Sequence, residues 1–129
     1  MSMIKYRAWD IDKQLMIDWE TILKKRNFHD LMDNPKVMLM QFTGAYDSSN
    51  NEIYDKDIVL AQLIAQDDIV FDNQIGLVNY CEFEWNLEMG HPNWPVASWF
   101  CVQQSKIIGN VFESDNLIKT IVPNINFLK

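Results

Sequence analysis

Lysine and arginine are missing from 49 consecutive residues of this 129-residue chain, the stretch between Lys56 and Lys106. The same stretch carries Asp57, Asp67, Asp68, Asp72, Glu82, Glu84 and Glu88. A surface that grips phosphates needs several basic side chains on one face, so nucleic-acid binding through this part of the chain is disfavoured. Cysteine and histidine are scarce too. Cys81 and Cys101 form no Cys-x-x-Cys pair, and only His29 and His91 could join them. That excludes a disulfide scaffold and leaves no spacing that argues for structural zinc; both thiols are expected to be buried and free. No apolar run is long enough to cross a bilayer. Lys5, Arg7 and Asp10 break up the N-terminus, so no secretion signal is expected there and the chain reads as cytoplasmic. No G-x-S-x-G or phosphate-loop pattern occurs, and there is no repeat and no low-complexity linker.

Aromatic residues, by contrast, are plentiful: five Trp, four Tyr and seven Phe. With an apolar share of 48% and a charged share of 22%, they supply the bulk for a core and argue against disorder. The length is that of a single domain, 1–129. The net charge is −7, unevenly spread. Residues 1–65 hold eight basic and ten acidic side chains, and residues 66–129 hold three and eight. The acidic half either keeps the protein soluble or suits a basic partner.

Residues 4–10 alternate and read as a strand, with a turn at 10–13 and a returning strand at 15–19. Residues 21–32 read as one short helix or two turns of helix, with an apolar stripe that omits Phe28 and an end at Asp33-Asn34-Pro35. The apolar run at 37–43 predicts a strand buried on both faces or set at a subunit contact. Residues 47–51 are turn chemistry. Strands are expected at 57–65 (a helix being the alternative), 74–83, 94–104 and 106–112. A stiff proline-containing loop is expected from Gly90 to Pro95, and a helical turn capped by Ser114 follows the last strand. Short strands with a turn signal about every ten residues point to a small barrel.

Three stretches resemble the YopX-like family of phage and prophage proteins. Ile4-Lys5-Tyr6-Arg7-Ala8-Trp9-Asp10 resembles the family's opening, K-F-R-A-W-D after a hydrophobic residue. Leu39-Met40-Gln41-Phe42-Thr43-Gly44, then Asp47, Glu52-Ile53-Tyr54 and Asp57-Ile58-Val59, resembles its central L-M-Q-Y-T-G-x-x-D and N-G-K-E-I-Y-E-G-D-I-V. Ile107-Ile108-Gly109-Asn110-Val111-Phe112-Glu113-Ser114 resembles its closing V-I-G-N-I-Y-E-N. The resemblance implies a mainly β (α+β) fold: an N-terminal strand and helix segment over residues 1–35, an SH3-like β-barrel over 36–118, and a tail over 119–129. It also implies self-association, and it supplies no catalytic residue, metal or cofactor. Two positions depart from the pattern. Lys56 stands where the family has glycine, and Ser49-Asn50 where it has Asn-Gly. If φ is positive at Lys56, the cost is about 1 kcal/mol.

Candidate sites come next. Glu82 and Glu84, two apart on one expected strand, with Glu88 and His91 in the following loop, could form a carboxylate–histidine site, but a solvated strand face explains them as well. Lys24-Lys25-Arg26 could meet phosphate or the acidic surface of another copy, and is otherwise the solvated face of a helix. Trp85, Trp94 and Trp99 flank the proline-containing loop. They are either core or, with Asp67, Asp68, Glu82 and Glu84, an interaction surface. The first reading is a non-enzymatic, self-associating module of a phage or prophage that binds a phage or host protein in the bacterial cytoplasm. A small nucleic-acid-associated module using the basic helix is the alternative, and an enzyme with an unrecognised site the third.

Overall fold

The computed structural model describes residues 4–25, 28–64, 70–81, 84–91, 94–97, 105–114 and 116. Strand β1 (Tyr6–Asp10) turns back into β2 (Leu15–Ile17). The Asp10 carboxylate accepts the Lys13 N–H at 3.0 Å and holds the turn. Two helices follow, α1 (Trp19–Lys25) and α2 (Phe28–Asp33), then β3 (Val37–Tyr46) and β4 (Glu52–Tyr54). Further strands follow: β5 (Asp57–Ile64), β6 (Val70–Cys81), β7 (Glu84–His91), β8 (Trp94–Ala97) and β9 (Lys106–Asn110). The protein is thus mostly β, with two antiparallel sheets: four strands in the order β2-β1-β3-β4, and five in the order β8-β7-β6-β5-β9.

Strand alternation divides the first sheet cleanly. Ala8, Ile17, Val37 and half-buried Leu39 pack with Ile22 of α1 and Leu31 of α2. Arg7, Trp9, Met40 and Phe42 point the other way, and the first two reach the second sheet. β3 is therefore covered on both faces along most of its apolar run, as expected, but Met38 (40% exposed) and Gln41 emerge. In the second sheet, Ile58 and Leu77 pack with Val111, while Val59, Val78 and Leu87 are fully buried on the opposite face.

The structure corrects three expectations. The helical region is two helices rather than one, and it starts at Trp19, because the Asp18 carboxylate caps the Thr21 N–H at 2.8 Å. Phe28 belongs to the second helix, where its ring packs 4.9 Å from Tyr6 and 5.8 Å from Trp19. Glu88, Gly90 and His91 lie in strand β7 rather than in a loop, with His91 paired to Trp94. Glu84 opens that strand opposite Cys81, and Glu82 lies outside the described residues. The expected strand from Asp57 is present as Asp57–Ile64.

Positive φ occurs at Gln14, Gly44, Asn50 and Lys56. Gly44 sits where β3 shifts register against β4, with Thr43 Oγ1 donating to the Ile53 carbonyl at 2.7 Å beside it. Asn50, not Ser49, takes the left-handed position of the β3–β4 turn, and its N–H donates to the Asp47 carbonyl at 3.0 Å. A single left-handed residue ends this turn, so Ser49 never needs the glycine-like conformation. Lys56 does take it, at φ 69°.

Candidate functional site

Residues of the three motifs meet where the two sheets face each other. Arg7 Nη2 donates to Asp57 Oδ1 at 2.6 Å, bridging β1 and the start of β5. Asp57 is 1% exposed, and its second oxygen accepts the Tyr54 N–H at 2.8 Å. The guanidinium also lies 4.8 Å from the Tyr54 ring centre. Trp9 stacks on Phe112, centroids 5.6 Å apart. Asp47 makes a second tie. Its Oδ1 accepts the N–H groups of Ser49 (2.9 Å) and Asn51 (2.8 Å), and its Oδ2 accepts that of Ile107 in β9 (3.1 Å). Asn110 closes β9 by accepting the N–H groups of Phe112 and Glu113, both at 3.0 Å.

The buried carboxylates respond to these surroundings differently. Burial raises the Asp57 pKa above the ordinary carboxylate value, against the pull of Arg7 and the Tyr54 N–H. Burial also raises Asp55, opposed by its neighbour Lys56. At Asp47 burial pushes up as well, but the donors from Asn51, Ile107 and Ser49 together outweigh it and hold the pKa below the usual value. Asp47 and Asp57 hold the backbone, whereas Asp55 Oδ1 faces the Lys56 ammonium at 3.6 Å.

Beside this seam, an open pocket of about 240 Å³ lies between the start of β1, the start of α1 and β4, lined by Lys5, Asp18, Trp19, Glu20, Glu52 and Tyr54. Lys5 forms an ion pair with Glu52, and its ammonium lies 5.5 Å from the Phe42 ring centre. The bond to Glu52 raises the Lys5 pKa. Burial and the nearby Glu52 charge push the Tyr54 hydroxyl up to about 12. The Thr21 hydroxyl and N–H lower Asp18.

Of the residues singled out in the sequence, Trp85 is half-buried in β7. Its ring meets Tyr80 of β6 edge-on, centroids 5.1 Å apart. Glu84 is exposed next to it, and Tyr80 is 51% exposed. Trp94 opens β8. Trp99, Asp67, Asp68 and Glu82 lie outside the described residues, as does Arg26 of the basic trio, while Lys24 is exposed on α1. The structure thus brings Trp85 against Tyr80, which the sequence did not single out, with Glu84 on the opposite face of β7. The sequence reading missed the pocket. Its lining comes from three separate segments, although Lys5, Glu52 and Tyr54 stand inside the recognised motifs. Among the described residues, no group of three His, Cys, Asp or Glu side chains could hold a metal ion, and no helix is long and apolar enough to cross a membrane.

Comparison with known proteins places this architecture. A crystal structure of protein EF1440 from Enterococcus faecalis is similar over 92% of this chain and 99% of its own, with a TM-score of 0.61 and 17% identity. At that identity the likeness speaks for the fold. No curated protein matches the sequence. The family model of the YopX protein matches residues 21–119, taking in the central and closing motifs, with the opening motif just ahead. By its sequence, therefore, this chain belongs to the YopX family.

Proposed function

We propose that this member of the YopX family is a non-enzymatic, self-associating interaction module of a bacteriophage or prophage, acting in the host cytoplasm. The observation that carries the reading is the end of the β6–β7 hairpin. There Tyr80 stands half in solvent, edge-on against Trp85. Exposed aromatic side chains are what protein contacts use. Two buried carboxylates, Asp47 and Asp57, are committed to backbone N–H groups and to Arg7 and are not spare for chemistry. In this reading the five-stranded sheet, clasped to the β3–β4 hairpin through Asp47, forms an SH3-like barrel, and the partner is a second copy or a phage or host protein.

Light scattering over a range of protein concentration tests it. An oligomer that Tyr80→Ser and Trp85→Ser convert to monomer, with circular dichroism unchanged, is the expected result. A wild-type monomer at all concentrations, or an oligomer indifferent to both substitutions, would refute the self-association.

A further inference from the structure

We propose that the pocket between β1, α1 and β4 receives the guanidinium of an arginine from a basic segment of a partner protein. This goes beyond the module reading in naming the chemistry of a partner, and rests on it only in that the ligand is a protein. Size is the first argument. About 240 Å³ is smaller than the roughly 300–1,000 Å³ of small-molecule sites, and suits one long side chain. Charge is the second. The lining holds three carboxylates, Asp18, Glu20 and Glu52, against the single cation Lys5, which is ion-paired with Glu52 and also feels Glu20. Lys24 reaches Asp18 only through a weaker field.

The third argument is that the site already handles a cation. The Lys5 ammonium is held between a carboxylate, Glu52, and an aromatic ring, Phe42. Trp19 and Tyr54 offer aromatic surface beside Asp18 and Glu20 in the adjoining space. A guanidinium fits it better than an ammonium. It is planar, stacks on an indole, and presents paired N–H groups to a carboxylate. An anion is disfavoured there by the excess of carboxylates.

The test uses the full chain and a short peptide carrying one arginine, with its citrulline counterpart as the uncharged control, followed by NMR of the Trp19 indole N–H. The arginine peptide is expected to shift that signal at low salt, and the citrulline peptide to leave it unmoved. Glu20→Gln should weaken binding about 3-fold, in keeping with a solvent-exposed ion pair, and Glu20→Lys about tenfold. Glu20 is exposed, so neither change threatens the fold. Equal binding of both peptides, unchanged binding by Glu20→Lys, or shifts at Trp85 in place of Trp19 would overturn the proposal. Light scattering on the same samples separates the two readings. An oligomer that does not bind the arginine peptide overturns the pocket alone, and a monomer that binds it overturns self-association alone.

Discussion

Asp47 and Asp57 are both buried carboxylates that tie one sheet to the other, at 5% and 1% exposure, yet their surroundings push them in opposite directions. Asp47 is met by fixed backbone N–H donors from its own turn and from β9. These donors are already paid for by the fold and favour the charged form, so its pKa falls. Asp57 is met by one backbone N–H and by a half-buried side-chain cation whose Nε finds no hydrogen-bond partner. Desolvation wins there, and the pKa rises. The lesson is that a carboxylate clasp made of backbone donors stabilises by being charged, whereas a clasp made of an ion pair chiefly penalises its own disruption.

The largest expected effect comes from breaking the ion-pair side of that contrast. Asp57→Ala leaves Arg7 half-buried without its partner and should cost about 3–5 kcal/mol in urea unfolding. A loss under about 1 kcal/mol would mean that Arg7 finds other partners easily. Asp47→Ala should cost somewhat less, about 2–3 kcal/mol, because it strands backbone donors rather than a full charge. It should also speed hydrogen exchange at the Ile107 amide.

The pH dependence sharpens the comparison. The folded pKa of Asp47 lies below its unfolded value, so its contribution is complete above the unfolded pKa and is lost as pH falls through the folded pKa. The folded pKa of Asp57 lies above its unfolded value, so its contribution is complete below the unfolded pKa and is lost as pH rises through the folded pKa. Asp47→Asn should therefore flatten the acid loss of stability, while Asp57→Asn should steepen it. Urea titrations at several acidic pH values would show both, and slopes of the same sign would erase the distinction. The smallest effect is expected at Lys56→Gly. Relief of the left-handed backbone, about 1 kcal/mol, is offset by loss of the 2.6 Å bond from Lys56 Nζ to Asn79 Oδ1, worth about as much. The midpoint of denaturation should hardly move.

Much of the fold was legible because local chemistry and tertiary structure agree. The aromatic alternation at Tyr6–Asp10, the Asp10 turn, the apolar run opening β3 and the Asn34-Pro35 stop all appear where their residues imply. Strand β7 was not legible. Among its described side chains only Leu87 is fully buried, and Glu88 on the other face accepts from the Asn79 amide. Pairing with β6 makes it a strand, and intrinsic preference does not. The sheet-to-sheet ties were half legible. The motifs named Arg7, Asp47 and Asp57 as special, but Arg7 and Asp57 are 50 residues apart, and nothing in one sequence says that they touch. The pocket was invisible for the same reason, being assembled from three segments.

A double-mutant cycle of Arg7→Met and Asp57→Ala, measured by urea unfolding at neutral pH, tests most directly whether the motif residues act as fasteners between the sheets. Each single change should cost several kcal/mol and the pair together much less than their sum, with a coupling of about 2 kcal/mol or more. Costs that add to within about 0.5 kcal/mol would show that the two side chains lie close without holding the sheets together.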